Sequence, residues 1–163
     1  MGLVRDNELV ADEFVHVADG AELPAKGPVI VSLERWQAER AALAARGFPV
    51  GVRLRSDQSP ELVVDDLAKL ALVALEFPKF RDGRAYSYAR ILRERYRFQG
   101  EVRAVGEVLM EQLHFMLRTG FNALEIVGDD PLGQFRTALA DFSVWYQPTG
   151  DGRETAVELR HKH

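Results

Sequence analysis

The chain has 163 residues, 47% hydrophobic and 28% charged, with 21 Lys+Arg against 25 Asp+Glu and a formal net charge of -4. These values exclude disorder and leave no room for a complete eight-fold β/α barrel, which takes upwards of about 200 residues. With no cysteine, the chain makes no disulfide, thiolate nucleophile or Cys-held iron–sulfur cluster by itself.

The first 27 residues read as a β-hairpin and a loop. Asp6-Asn7 is turn chemistry, and Leu9, Ala11, Phe14, Val15 and Val17 follow it in rough alternation. Asp19-Gly20, Pro24, Gly27 and Pro28 then break the pattern. A strand–helix rhythm starts at Val29-Ile30-Val31, followed by an amphipathic helix from Leu33 to Arg46 that stops at Gly47. Val50 to Leu54 is the next strand. Ser59-Pro60-Glu61 opens a second helix with a hydroxyl cap, a first-position proline and an acid in the first turn. Leu72 to Leu75 is a strand and Arg84 to Arg97 a third helix, with Tyr88, Ile91, Leu92 and Tyr96 on one face. Val102 to Val105 follows as a strand. Val108, Leu109, Leu113, Met116 and Leu117 stripe a fourth helix that ends at Thr119-Gly120-Phe121. Leu124 to Val127 and the helix Pro131 to Ala140 complete the rhythm. Ser143 to Tyr146 and Thr155 to Leu159 read as a C-terminal β-hairpin around Gly150-Asp151-Gly152.

Strand starts near 29, 50, 72, 101 and 123 predict about five parallel strands in a single α/β domain spanning 1–163. An open doubly wound sheet is the first reading of their closure and a partial β/α barrel the second. Either gathers ligands at the carboxyl ends of the strands. The longest aliphatic run, Leu70 to Leu75, is far too short to span a bilayer, and the charged start Arg5-Asp6 argues against a secretory signal. A cytoplasmic protein without a membrane partner is expected.

The loop after the third strand is the richest in chemistry. From Lys79 to Arg103 there are eight bases and three acids, a local charge of +5 against -9 for the rest of the chain. At the start of the third helix, Gly83 admits close backbone approach and the first N–H groups are free. Lys79, Arg81, Arg84, Tyr86 and Ser87 there form a candidate pocket for a small oxyanion or phosphate, with Arg103 as an outlying member. The plainer reading is that Arg90, Arg93 and Arg97 solvate a helix face, while Phe77, Pro78 and Phe80 close over the sheet. His16, His114, His161 and His163 do not form a metal-ligand pattern. Asp130 reads as the cap before Pro131, with Asp129 at the ligand-facing edge. The chain contains no GxGxxG turn, GxxxxGK[ST] loop, GxSxG elbow or nucleic-acid motif, so no cofactor and no nucleic-acid partner is expected.

The stretch Leu70 to Ser87, including Glu76-Phe77-Pro78-Lys79-Phe80-Arg81-Asp82-Gly83-Arg84, with Gly100 to Leu109, Gly120 to Glu125, Leu33 to Trp36 and Phe142 to Val144, resembles the bacterial family called domain of unknown function 934. That family is labelled as an oxidoreductase of sulfite reduction, and its members lie beside genes of assimilatory sulfite reduction. The resemblance implies an accessory that docks on a sulfite-reduction enzyme through the Lys79–Arg84 loop or through Phe121, Trp145 and Tyr146. The alternative is a small oxyanion-binding enzyme, and a homodimer stays open. Relatives carry Cys where this chain has Thr119, and Gly where it has Ala85. An essential thiol at the first position is therefore excluded here.

Overall fold

The aliphatic runs at 29–31, 50–54 and 72–77 are buried from end to end except at Arg53 and Glu76, as parallel strands covered on both faces must be. A computed structural model describes residues 1–140 and 154–161. It holds one sheet of eight strands: β1 (Gly2–Arg5), β2 (Glu8–Val10), β3 (Val15–His16), β4 (Val29–Ser32), β5 (Val50–Leu54), β6 (Leu72–Phe77), β7 (Glu101–Gly106) and β8 (Ala123–Ile126). The strand order is β2-β1-β8-β7-β6-β5-β4-β3. From β3 to β8 every neighbouring pair is parallel, and the β1–β2 hairpin adds antiparallel to β8.

β2 and β3 lie at opposite edges, yet only residues 11–14 separate them. Laid flat, eight strands at their usual spacing would put those edges about 34 Å apart. Five residue steps reach at most about 18 Å. The sheet therefore curls into a half-barrel, and residues 11–14 run as a chord across its hollow side. Of the two closures expected, the partial barrel is the one realised.

The helices that enter the main core pack on the outer face. The helices are α1 (Leu33–Ala44), a 3₁₀ helix Pro60–Lys69, α2 (Arg84–Arg90) with a π-helical turn Ile91–Arg95, a 3₁₀ turn Met110–Gln112, α3 (Leu113–Thr119), α4 (Pro131–Ala140) and α5 (Ala156–Arg160). Trp36, Leu92, Met116 and Phe135 from these helices meet Val31, Val52, Leu75 and Phe77 of the strands in the main core. A smaller cluster of Ile30, Leu72, Ala74 and Val105, with Phe14 from the chord against it, lines the hollow side.

The local signals account for most boundaries. Asp6 and Asn7 both take positive φ (50° and 70°), the turn that a two-residue hairpin demands. Ser32 Oγ accepts from Arg35 N at 3.0 Å to start α1. Gly120 ends α3 at φ 114°, with Phe121 N donating to Met116 O at 3.1 Å.

Some expectations change. The hairpin's second arm ends at Val10, and Val15-His16 pairs in parallel with β4 at the far edge. The third strand runs on through Glu76 and Phe77, so Phe77 is fully buried core and not a lid. Arg93 does not solvate a helix face. Its guanidinium donates to the carbonyls of Phe98, Gly100 and Gly120 and to Asn122 Oδ1 at 2.6–2.9 Å, closing helix and strand ends that would otherwise lack partners. Thr155 to Leu159 is not the arm of a hairpin. Thr155 caps α5, its Oγ accepting from Glu158 N, while the arm expected at 143–146 lies outside the described residues.

Candidate functional site

Curling brings a row of side chains together on the hollow face. By register Ser32, Arg53, Ala74, Arg103, Ala123 and Arg5 stand side by side on β4, β5, β6, β7, β8 and β1. Long cations alternate with small residues, so each guanidinium stem has room over a neighbouring alanine or serine.

Arg103 occupies the middle of this row and is fully buried. Its Nε donates to Glu101 Oε1 at 2.6 Å, and its Nη1 to Asp12 Oδ2 at 2.8 Å and Glu125 Oε1 at 3.1 Å. The Phe14 ring lies 5.6 Å from the guanidinium carbon. His16 Nε2 meets the same Glu125 oxygen at 3.0 Å, and since a carboxylate only accepts, that nitrogen carries the proton. Asp12, Phe14 and His16 all belong to the chord or to β3, so this network fastens the chord across the half-barrel. Burial alone would raise the Glu125 carboxyl; His16 and Arg103 overcome it and hold the group below its ordinary value. Asp12, His16 and Glu125 bring their ligand atoms within 4.8 Å of one another, a grouping that would suit a metal ion. The cation between the two carboxylates is supplied by Arg103.

Beside this network, at the carboxyl ends of β3 to β6, lies a cleft of about 500 Å³. Val17, Ala18, Ile30 and Val31 border it, with Ile30 on the hollow side, and Arg53, Glu76, Arg55, Glu34, Asp19 and Gln58 supply charge and polarity. Arg55 Nη1 donates to Glu34 Oε1 at 2.6 Å and Gln58 Nε2 to the same oxygen at 2.9 Å. Glu34 sits below its ordinary value because of the α1 backbone N–H and Arg55. Arg53 Nη2 lies 2.9 Å from Glu76 Oε1. The position is the one at which β/α barrels hold their ligands.

The charged loop is arranged differently. Lys79 and Arg81 are exposed and take no ion pair among the described residues. Arg84 is committed to Asp82, at 2.7 Å and 3.0 Å, and to Ser56 Oγ at 3.0 Å. Arg84 in turn pulls the Asp82 carboxyl far below the usual range. Gly83 has φ -91°, and a Cβ there would meet only the Tyr86 ring at ordinary contact distance. Tyr86 packs edge-on against Phe77, and burial pushes its phenol up to about 12. Ser87 is exposed. The loop thus brings Arg84 to Asp82 and Ser56, whereas Arg103 stands on the hollow face with none of residues 77–87 among its partners. Phe121, expected as an exposed docking aromatic, is buried against Phe77, and Trp145 and Tyr146 lie outside the described residues. Thr119 Oγ1 bonds the Phe115 and Met116 carbonyls at 3.0 Å, a helix-end role. Asp130 caps α4 as expected, accepting from Gly133 N at 2.9 Å.

The family profile described as "Bacterial protein of unknown function (DUF934)" matches residues 51–157. The chain belongs to the DUF934 family. No curated protein matches it.

In this DUF934 chain the cleft residues Arg53 and Glu76 are, like the rest of the cleft, not among the site candidates that the sequence offers. Their signal is the period-two alternation Gly51/Arg53 and Leu72/Ala74/Glu76, which sets a charge at the last inward position of two adjacent strands. Ending the third strand at Leu75 hid it.

Proposed function

We propose that this chain is a binding domain for a small polar molecule held in the cleft at the carboxyl ends of β3 to β6. The observation that supports this is the joining of opposite charges and apolar side chains in one concavity, next to a network that fixes the cleft's β3 side. A volume of about 500 Å³ falls in the range of small-molecule sites. The test is a thermal-shift screen of sulfite, sulfate, phosphate, simple ammonium ions and small zwitterions against the parent protein and Arg53→Gln. Stabilisation of the parent that is lost in the variant is the expected result. A ligand that stabilises both equally would place binding elsewhere, for instance on Lys79, Arg81, Gly83, Arg84, Tyr86 and Ser87.

A second reading is an accessory role in assimilatory sulfite reduction, by docking on one of its enzymes, as the family resemblance implies. It is favoured by the loop at 79–81, where Phe80 is 54% exposed between the exposed cations Lys79 and Arg81. Co-sedimentation with purified sulfite reductase at micromolar concentrations, weakened by Phe80→Ser, is the expected outcome. A clean failure to associate rejects this reading and leaves the first intact.

A further inference from the structure

Resting on the cleft as the binding site, we infer that its ligand class is a small zwitterion, a molecule with a carboxylate and an ammonium group a few ångströms apart, as in a free amino acid. The charges of the cleft differ in how fully they are engaged. Glu34 is shared between Arg55 and Gln58, and Arg55 Nε also reaches Asp57 Oδ1 at 3.3 Å. Asp19 Oδ1 accepts from Ser32 Oγ at 2.5 Å. Arg53 and Glu76, by contrast, have only each other. Neither side chain has another polar partner among the described residues, although a guanidinium offers five N–H donors and a carboxylate about four acceptor sites.

Both are accessible, with side chains 42% and 21% exposed, and both project from strands, so backbone pairing fixes their spacing. A ligand carboxylate can accept from the spare N–H groups of Arg53 while a ligand ammonium donates to Glu76 Oε2. The internal ion pair need not break. Each new bond is charge-assisted, the stronger kind.

Charge balance sets the class. The cleft holds two guanidinium groups, Arg53 and Arg55, and three carboxylates, Asp19, Glu34 and Glu76. A lone oxyanion adds to the carboxylate excess, and a lone cation meets two arginines. A zwitterion adds no net charge and satisfies both members of the free pair. Ile30, on the hollow side, and Ala18 at the cleft's edge then face its carbon skeleton.

The experiment screens the common L-amino acids with the parent protein by thermal shift at about 10 mM. Any amino acid that binds is then compared by calorimetry with its N-acetyl and carboxamide derivatives, each lacking one charge, and with sulfate and sulfite. At least one amino acid should bind, and both derivatives should bind at least about tenfold more weakly. Arg53→Gln and Glu76→Gln should each weaken it to a similar degree, with circular dichroism reporting the fold. Tighter binding of sulfate or sulfite than of any amino acid, with Glu76→Gln improving it further, would overturn the zwitterion and leave the cleft as an anion site. Binding of none of these molecules to the parent would overturn the cleft reading as well. The screen on the parent decides even where a variant does not fold.

Discussion

Replacing Arg103 by methionine keeps an unbranched apolar stem and removes the guanidinium and its charge from the centre of the half-barrel. The substitution deletes three charge-assisted bonds, to Glu101 at 2.6 Å, Asp12 at 2.8 Å and Glu125 at 3.1 Å. Removing one member of a buried ion pair costs about 3–5 kcal/mol, because the remaining charge is left uncompensated. Glu101 and Glu125 are 9% and 11% exposed and carry that cost, whereas Asp12, at 31%, recovers part of its solvation from water. A loss of about 2–4 kcal/mol is therefore expected, against about 0–1 kcal/mol for Arg90→Met, which deletes only the exposed pair with Glu94. Urea melts with the slope m held common read both values. The penalty should also depend on pH. Without the guanidinium, Glu125 loses one of the two partners that offset its burial and resists ionising, so acid relieves it, while the parent needs it ionised. The gap between parent and variant should narrow from about pH 8 to about pH 5. A loss below about 1 kcal/mol, or one of the same size at both pH values, would refute the view that this network closes the sheet.

Two further perturbations follow. Glu125 and Asp66 face burial that would raise their carboxyls, yet both are held below their ordinary 4.5 and 3.8, the first by His16 and Arg103, the second by Trp36, Lys69 and Arg40. A depressed folded value contributes stability that is complete above the ordinary one, so the thermal midpoint should fall steadily as pH drops below 4.5; a flat profile down to 3.8 would contradict these environments. Gly106 has φ 93°, and a Cβ there would lie 2.5 Å from the Phe77 carbonyl oxygen, so Gly106→Ala should cost about 2–3 kcal/mol in a urea melt.

Elements fixed by local chemistry were legible in the sequence. Asp6-Asn7 marks its hairpin because few other pairs tolerate two positive φ angles in succession. Strands beginning at Val29, Val50, Leu72, Glu101 and Ala123 announce themselves by buried aliphatic runs, and Asp130 before Pro131 has no better use than a cap. What stayed hidden depends on closure. β3 is only two residues long and both are exposed, so nothing in Val15-His16 says that it pairs with β4 at the edge opposite its own hairpin. Arg93 reads as a solvated helix residue until the carbonyls at Phe98, Gly100 and Gly120 converge on it. In the charged loop, composition said how many cations there were but not that Asp82 would take Arg84.

The row Arg53, Arg103 and Arg5 shows why the site and the fold share one cause. These residues lie dozens of positions apart in the chain and share a row only because the register of the sheet, parallel from β5 to β8 and antiparallel from β8 to β1, sets them on alternate strands of one concave face. Each has a carboxylate from a neighbouring position: Glu76 for Arg53, Glu101 for Arg5, and both Glu101 and Glu125 for Arg103. A curled sheet left open on one side cannot fill its interior with aliphatic layers alone, since water reaches the hollow, and paired charges tolerate that contact. Where the chord with Phe14 crosses, the pairs are buried and stiffen the closure. Past the chord, at the carboxyl ends of β5 and β6, the same pattern continues uncovered. Arg53 and Glu76 keep more of their donors and acceptors in reach of solvent than Arg103, whose Nε and Nη1 are spent on Glu101, Asp12 and Glu125.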